Sequence, residues 1–357
     1  MSLRICLIAS SRFPIAEPFA GGLEAHTHAL ARSLVARGHD VTVYAAPGSD
    51  PALGVRALEV VPFAPTERAR RDVSAPPDAW MREHHAYLAL MLDLQRAGRR
   101  RFDVVHNNTL HHLPIAMAPA LGMPMVTTLH TPPTPWLESA MRLGAGASTF
   151  VAVSRSTATQ WGDTVTPLVI RNGVDVDRWT PGPGGDGAVW SGRLVPEKAP
   201  HLAIDAARAA GIPLVLVGPR HDEEYFAREV APRLGGGVRY AGHLDSAELG
   251  ALVGRSAVAV VTPRWEEPYG LVVAEAMACG TPVAAFARGG VVELVAPASG
   301  RTAPSDDVGG LARAIREAVA LPRDAVRRHA ERHLSLEGMV AGYEDLYRRL
   351  ARPRLAA

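Results

Sequence analysis

The chain has 357 residues, 47% of them hydrophobic and 21% charged, which is enough for about two domains with separate cores. This composition excludes a disordered chain, a collagen and a disulfide-stapled mini-protein. The net charge of only +2 argues against nucleic acid as the main partner. Cys6 and Cys279 lie in apolar contexts far apart in the sequence, so we expect buried thiols and a cytoplasmic location.

The first 45 residues predict one strand–helix–strand unit. An apolar run at 3–9 indicates a buried strand, and Gly21 and Gly22 precede a helix predicted over 23–36. The apolar run is too short for a signal peptide. The alternation continues with strands at 41–45, 102–107, 124–130, 149–154 and 168–171, and with helices at 78–97 and 135–143.

A second alternating set follows the segment TPGPGGDG at 180–187, which is typical of a linker. Because strands and helices alternate in both halves, we predict two domains with parallel sheets and a ligand cleft at the carboxyl ends of their strands. The remainder from 308 onward is predicted to be mostly helical. The strands of the second set are predicted at 187–191, 213–217, 238–241, 257–261 and 282–286, and its helices at 201–210, 222–234, 247–254 and 271–278.

Two common phosphate-binding signatures are absent from the sequence. No G-x-G-x-x-G follows the first strand, which disfavours a dinucleotide-dependent oxidoreductase, and no G-x-x-x-x-G-K-[ST] occurs. Gly21 and Gly22 could instead present bare helix amides to an anion. A plain tight turn is the alternative, and the position after the first strand makes the two interpretations nearly equal.

The segment WSGRLVPEKAP at 190–200 places Arg193 and Lys198 in a loop between a strand and a helix. Two cations placed in this way can clamp a diphosphate leaving group. They could also be ordinary solvated charges. Lys198 is the only lysine among 38 basic residues, and this scarcity favours the functional interpretation.

The segment WEEPYGLVVAEAMACG at 265–280 carries two spaced glutamates. Glu267 precedes Pro268, a residue typical of a first helical turn, so we place Glu267 at or just outside a helix start. Glu275 lies within an otherwise apolar helix, where a carboxylate needs a partner such as ligand hydroxyls. The alternative interpretation, that the glutamate forms an ordinary ion pair, fits Glu266 better than Glu275.

Several other polar residues are weaker candidates. His130 ends a strand, and together with His106, His111 and His112 it suggests a metal site, but no cysteine or carboxylate spacing matches and we predict none. The D-x-D at 175–177 lies near the linker, and we expect it to be structural. The basic runs at 68–71 and 96–101 are typical of solvated helix ends, with contact to anionic lipid or an acidic acceptor as the alternative.

Taken in order, these motifs resemble those of the family 4 retaining glycosyltransferases with the GT-B fold, over essentially the whole chain. The Gly-Gly pair with Glu24 is similar to the family's first-loop motif, and Glu267 with Glu275 reproduces its paired glutamates. The other matching segments are VAVS at 151–154, RNGVD at 171–175, SGRLVPEK at 191–198 and AMACG at 276–280. A single motif would be weak support, but the ordered set at these spacings is specific.

The resemblance implies an α/β protein with two doubly wound, Rossmann-like domains that face each other across a cleft. Residues 1–175, joined by the last helix at about 340–357, would form the acceptor-binding domain. Residues 176–339 would form the nucleotide-sugar-binding domain.

The resemblance also implies a role for each candidate residue. Arg193 and Lys198 would hold the donor diphosphate, and Glu275 the ribose hydroxyls. Glu267 would meet hydroxyls of the donor sugar, and His130 would lie near that sugar and its phosphate, which completes the expected catalytic set. The further donor-side residues are Gly21, Gly22, Tyr269, Gly270 and Leu271, and those on the acceptor side are Glu24 and Asn108.

The implied reaction is transfer of a hexose-type sugar, with retention and without a metal or cofactor, from a nucleotide sugar to an acceptor hydroxyl. UDP is the expected nucleotide, with GDP and ADP as alternatives. The acceptor would be a small molecule, a glycan or a lipid. Two alternatives share the fold: a nucleotide-sugar 2-epimerase, and a non-catalytic protein that binds sugar nucleotides. The second alternative is disfavoured because this chain keeps both cations and both glutamates.

Overall fold

The computed structural model describes residues 2–59, 62–144 and 146–355. In the first half, the strands are β1 (Arg4–Ile8), β2 (Asp40–Ala45), β3 (Val55–Ala57), β4 (Val104–Asn107), β5 (Met125–Leu129), β6 (Thr149–Ala152) and β7 (Leu168–Val169). They form one parallel sheet in the order β3-β2-β1-β4-β5-β6-β7. The strand order reverses between β1 and β4, which is where such sheets bind ligands.

Helices cover both faces of this sheet. They are α1 (Gly22–Ala36), α2 (Asp78–Asp93), α3 (Arg99–Arg101), α4 (His112–Leu121), α5 (Pro135–Leu143) and α6 (Arg155–Gln160), with short 3-10 turns at Pro51–Leu53 and Ala69–Arg71 and a π turn at Leu94–Gly98. Strand β1 shows why its sequence is continuously apolar. Ile5 and Leu7 enter one core with Leu30 of α1, whereas Cys6 and Ile8 enter the opposite core.

The second sheet is built in the same way. Its strands are β8 (Ala188–Ser191), β9 (Leu214–Val217), β10 (Val238–Tyr240), β11 (Val258–Val261), β12 (Val283–Phe286) and β13 (Gly300–Ala303). Their order is β10-β9-β8-β11-β12-β13, and all neighbours are parallel. This order reverses between β8 and β11, so both halves have the predicted doubly wound architecture.

The helices of the second half flank this sheet and then return to the first. They are α7 (Pro200–Ala210), α8 (Glu223–Tyr225), α9 (Ser246–Gly254), α10 (Leu271–Ala278), α11 (Val291–Leu294), α12 (Val308–Val319), α13 (Arg323–His333) and α14 (Leu336–Leu355), with a π turn at Phe226–Val230 and a 3-10 turn at Ala231–Arg233. Tyr343 and Tyr347 of α14 are fully buried in the core of the first sheet. Residues 356 and 357, which end the predicted last helix, lie outside the described residues.

Most of the predicted elements are confirmed, and the differences have local causes. Helix α4 was not predicted because it contains Pro114 and Pro119, which usually interrupt helices. The helix predicted over 222–234 is instead divided into α8, a π turn and a 3-10 turn that contains Pro232. Strands β3 and β13 are short edge strands without a strong apolar run, and they were missed.

Both cysteines are buried free thiols, as expected. Burial raises the pKa of the Cys279 thiol to about 12, so this side chain stays protonated. None of the helices in the described part of the chain combines the length and the apolar character that a membrane crossing needs.

Candidate active site

A cleft lies where the carboxyl ends of the two sheets face each other. It encloses about 360 Å³ of space, and its walls include residues that follow β1, β5, β8, β9 and β11. The lining contains eleven predicted residues from both halves of the chain: Gly21, Gly22, Glu24, His130, Arg193, Lys198, Glu267, Tyr269, Gly270, Leu271 and Glu275. The fold therefore brings together side chains that are more than two hundred residues apart in the sequence.

The loop after β8 fixes the backbone of Lys198. The Thr262 hydroxyl lies 2.8 Å from the Lys198 carbonyl oxygen and 3.0 Å from that of Ala199. Trp190 donates from its indole nitrogen to the same hydroxyl at 3.0 Å. Ala199 adopts a left-handed conformation with φ of 46°, which turns the chain into α7. The only lysine thus projects from a well-supported turn into the cleft.

Lys198, Glu267 and Trp265 form one polar cluster. Lys198 Nζ donates a short hydrogen bond to Glu267 Oε2, and the Trp265 indole donates to the same oxygen at 2.9 Å. The ammonium also lies 4.9 Å from the centre of the Trp265 ring, a cation–π distance. An ammonium has three N–H donors, and only one is used within the described residues. Two donors of Lys198 remain available to a ligand.

Arg193 lies in the same wall with little of its binding capacity used. Its guanidinium is 3.9 Å from Glu197, a loose contact, and its side chain is 35% exposed. Within the described residues it has no hydrogen-bond acceptor for its five N–H groups. Its charge also acts on Glu24, since it partly offsets the rise that burial causes in the pKa of that carboxyl. The cation is free to meet a ligand's phosphate.

The Glu267 backbone is held by a glycine pair that the sequence analysis missed. Gly290 donates its N–H to the Glu267 carbonyl at 2.6 Å. A Cβ at Gly289 would lie 2.3 Å from that same oxygen, and Gly289 has φ of +59°. Only glycine fits here without displacement. A Gly-Gly pair directly before a helix was the available signal, because the same pattern precedes the first helix.

Glu267 lies outside a helix start, as predicted, but the interpretation that Pro268 belongs to the first turn of that helix is wrong. Helix α10 begins at Leu271, so Pro268 lies outside it, and Gly270 caps the helix with φ of 96°. A left-handed cap needs glycine, and this requirement sets the boundary three residues beyond the proline. Glu267 therefore lies in the preceding loop, where its side chain reaches Lys198.

Glu275 is unpaired, in contrast to Glu266. Glu266 accepts a hydrogen bond from Arg288 at 3.0 Å, as expected for an ordinary ion pair. Glu275 has no hydrogen bond or ion pair among the described residues, although its carboxylate lines the cleft. Burial raises its pKa to about 7, and the charge of Arg178 only partly offsets this. A ligand hydroxyl would satisfy this carboxylate.

Two helix starts meet across the cleft. Gly21 caps α1, and Gly22 is its first residue. A Cβ at Gly22 would lie 3.3 Å from the side chain of Leu271, the first residue of α10. Because the first amides of a helix lack internal partners and carry positive partial charge, both ends favour an anion.

His130 follows β5 and is fixed by buried neighbours. Its Nε2 donates to the Asn108 side-chain oxygen at 3.0 Å, and its ring contacts that of His26 at 4.8 Å between centroids. Burial, together with the charges of His26 and His106, lowers the pKa of His130 well below its usual range. The imidazole is therefore neutral at physiological pH. Asn108 itself is fully buried behind His130.

The remaining predicted residues have varied positions. The Tyr269 hydroxyl is buried without a hydrogen-bond partner in the described part of the chain. Asp175 accepts from the amides of Asp177 and Arg178 at 3.1 and 3.2 Å, the structural turn that was expected. The basic runs at 68–71 and 96–101 do not line the cleft. His106 lies inside the sheet, within 2.5 Å of the Tyr347 hydroxyl.

Comparison with known proteins covers nearly the whole chain. Residues 20–178 match the family described as Glycosyltransferase Family 4, and residues 186–333 match Glycosyl transferases group 1. The chain is 32% identical to a glycogen synthase of Mycobacterium tuberculosis, over 91% of this chain and 88% of that one. It is 28% identical to a D-inositol 3-phosphate glycosyltransferase of Frankia alni, over 82% of each.

Solved structures share the fold at lower identity. Anabaena HepE, solved with UDP and glucose, superposes with a TM-score of 0.73 at 18% identity, over 96% of this chain and 99% of that one. A sucrose-phosphate synthase of Thermosynechococcus elongatus gives 0.77 at 21% identity, over 97% and 98%. The paired parallel sheets, the motifs and these similarities agree, and the chain belongs to the family 4 glycosyltransferases of the GT-B fold.

Proposed function

We propose that this glycosyltransferase moves a hexose-type sugar from UDP to an acceptor hydroxyl, with retention of configuration and without a metal ion. The observation that carries the proposal is the meeting of Arg193 and Lys198 with two helix starts in one cleft. This arrangement gathers positive charge at a single place, and a diphosphate is the anionic group that a nucleotide sugar presents there.

Breaking the bond between the sugar and the phosphate leaves new negative charge on the diphosphate. Groups that stabilise this charge more than the intact donor lower the barrier. Lys198 has two donors available and is held in place before the donor binds, and Arg193 offers a guanidinium with no hydrogen-bond acceptor among the described residues. The amides at the starts of α1 and α10 add partial positive charge. Together these groups would serve the purpose that a divalent cation serves in other transferases.

Glu267 and His130 are assigned to the sugar. The Glu267 carboxylate already accepts from Lys198 and Trp265, which fixes its orientation, and its remaining lone pairs would accept sugar hydroxyls. Neutral His130 donates to Asn108 and offers its other ring nitrogen as an acceptor. For retention, a donor phosphate oxygen would take the acceptor's proton as the new bond forms on the face that the diphosphate leaves.

The nucleotide is assigned to the second half of the chain, with Glu275 accepting the two ribose hydroxyls. Its carboxylate, which has no partner among the described residues and lines the cleft, supports this role. The choice of UDP is supported by HepE, which was solved with UDP-glucose and with UDP. Glu24, beside the first helix start, is assigned to the acceptor side.

A thermal-shift panel of UDP-, GDP-, ADP- and dTDP-sugars tests the donor assignment. A ligand at one hundred times its Kd stabilises the folded chain by about 2.7 kcal/mol, so we expect a clear shift with UDP-sugars. The Glu275→Gln variant should lose most of this shift, and Glu266→Gln, which alters a carboxylate that pairs with Arg288 outside the cleft lining, should keep it. A shift with another nucleotide only would overturn the choice of UDP.

The donor identified in this way is then incubated with and without acceptors. Transfer with an unchanged anomeric configuration, read by NMR, supports the proposal. An isomerised donor in the absence of any acceptor would instead identify a 2-epimerase. Tight binding of the donor with neither product, across a broad acceptor panel, would indicate a non-catalytic protein.

A further inference from the structure

Three histidines cluster on the first domain, outside the cleft. His84 lies on α2, His111 caps α4 and His112 is the first residue of that helix. One ring nitrogen from each side chain lies within 4.8 Å of the others. None of the three lines the donor cleft. The sequence analysis considered His111 and His112 with the wrong partners, since His106 and His130 lie elsewhere and His84 was not considered.

We propose that His84, His111 and His112 bind one divalent transition-metal ion of the zinc type. Imidazole nitrogen is a preferred ligand of such ions, whereas Mg²⁺ and Ca²⁺ prefer oxygen. Three histidines from two helices also match the ligand number of sites that keep a fourth position for water or substrate. The proposal is independent of the donor assignment and departs from the sequence-based expectation of no metal site.

Unsatisfied polar atoms support the proposal. His84 Nδ1 and His111 Nε2 are buried and have no hydrogen-bond partner among the described residues. Buried ring nitrogens are normally paired, so two such atoms in one cluster call for a bound species. A metal ion is a species that three imidazole nitrogens within 4.8 Å of one another can hold.

The surrounding charges permit a cation. Arg12 is the basic residue whose charge acts on His111, and it is engaged by Glu83, the residue before His84, at 3.2 Å. Arg12 and Glu83 together are close to neutral, and the negative charge of Glu83 favours a cation at His112. Aromatic rings support two of the ligands, since Trp80 stacks on His84 at 5.3 Å and Trp136 on His112 at 5.2 Å.

One local bond changes when the ion binds. His111 Nδ1 accepts a hydrogen bond from the Leu113 amide at 3.2 Å, which leaves the ring proton on Nε2. Ligation through Nε2 moves that proton to Nδ1, and the cap bond is lost. One neutral hydrogen bond is exchanged for a metal–nitrogen bond, and the ion then joins α2 to the start of α4.

Equilibrium dialysis with Zn²⁺ alone, followed by metal analysis, tests the site on the full, tag-free chain after EDTA stripping. We expect one Zn²⁺ per chain, retained in excess Mg²⁺. The double variant His84→Ala/His112→Ala leaves buried His111 and its cap intact and should bind at least 10-fold more weakly, since even indirect changes near a metal cost about that much. The matched control is His329→Ala/His333→Ala, which removes a histidine pair from α13.

Equal Zn²⁺ binding by the test variant, equal loss in the control, or no saturable binding by the unmodified chain would each overturn the proposal. If the double variant does not fold, the half-buried position is changed alone as His112→Ala. The Co²⁺ spectrum of the unmodified chain gives a second measurement. A tetrahedral visible band that Zn²⁺ removes supports the site, and a spectrum identical to that of free aqueous Co²⁺ contradicts it.

Discussion

Lys198, the only lysine in the chain, donates a hydrogen bond from Nζ to Oε2 of Glu267, 69 residues further along. The two residues come from different loops of the second sheet, and both line the cleft between the halves. Their contact fixes the ammonium beside the carboxylate before a donor enters. We infer that one pair orients both ends of the bond to be broken, with Lys198 at the diphosphate and Glu267 at the sugar.

We expect sugar transfer to survive an excess of EDTA, because Arg193 and Lys198 supply the charge that stabilises the leaving diphosphate. The measurement is the initial rate with and without chelator, in the unmodified chain and in His84→Ala/His112→Ala. A rate that EDTA abolishes and that Mg²⁺ or Mn²⁺ restores would contradict the metal-independent clamp. If only Zn²⁺ restores the rate that EDTA removes, and EDTA does not change the rate of the double variant, the effect comes from a metal at His84, His111 and His112.

The two glutamates should separate into nucleotide and sugar roles. Glu275→Gln should weaken binding of free UDP, since replacing the carboxylate removes charge-assisted hydrogen bonds worth roughly 1.5–3 kcal/mol, or about 10–100-fold in affinity. Glu267→Gln should impair transfer more than UDP binding. Calorimetry with UDP on both variants distinguishes them. Equal losses, or a larger loss for Glu267→Gln, would reverse or dissolve the assignment.

Gly289→Ala should lower kcat because the added methyl group would lie 2.3 Å from the Glu267 carbonyl oxygen and displace that loop. A misplacement of about 1 Å in an active site can reduce the rate roughly 10²-fold. Gly236→Ala is the matched control, since Gly236 has the same φ of +59° and a methyl group added there would meet nothing within 4 Å. Both variants should lose roughly 1–2 kcal/mol of stability from the left-handed backbone. Similar kcat values for the two would show that the contact with Glu267 is unimportant.

The stability of the ligand-free chain should depend on pH because the pKa of Glu275 is raised in the folded state. Burial raises its pKa from 4.5 to about 7, so in this interval the folded chain keeps a proton that the unfolded chain releases. Stability contributed by this group is therefore lost as the pH rises through that window. Glu275→Gln should show a smaller fall in Tm between about pH 5 and about pH 7 than the unmodified chain. Glu266→Gln serves as the control, and an identical fall in all three proteins would rule out the shifted carboxyl.

The sequence was sufficient for those features that depend on local pattern. Helix α10 was predicted with its observed bounds, and the apolar strands of both sheets were found, because burial on both faces requires continuous apolar runs. Lys198 was identified as a site residue because it is the only lysine. Arg193 and Glu275 were identified from the loop and the apolar helix in which they lie. All three line one cleft.

The features that the sequence did not reveal depend on tertiary contact. Gly289 contacts Glu267 across 22 residues, and no spacing rule connects them. His84 meets His111 only because α2 packs beside the start of α4. Helix α4 was missed for a local reason, because its two prolines obscured the helical pattern.

The kcat of Lys198→Ala tests the central claim most directly. Loss of one preorganised charge contact should reduce kcat on the order of 10²–10³-fold with the fold intact, as judged by an unchanged Tm. Arg313→Ala, which removes an exposed cation that does not line the cleft, should leave the rate unchanged. If Lys198→Ala is active within a few-fold of the unmodified chain, Lys198 does not stabilise the leaving diphosphate and the proposed clamp is wrong.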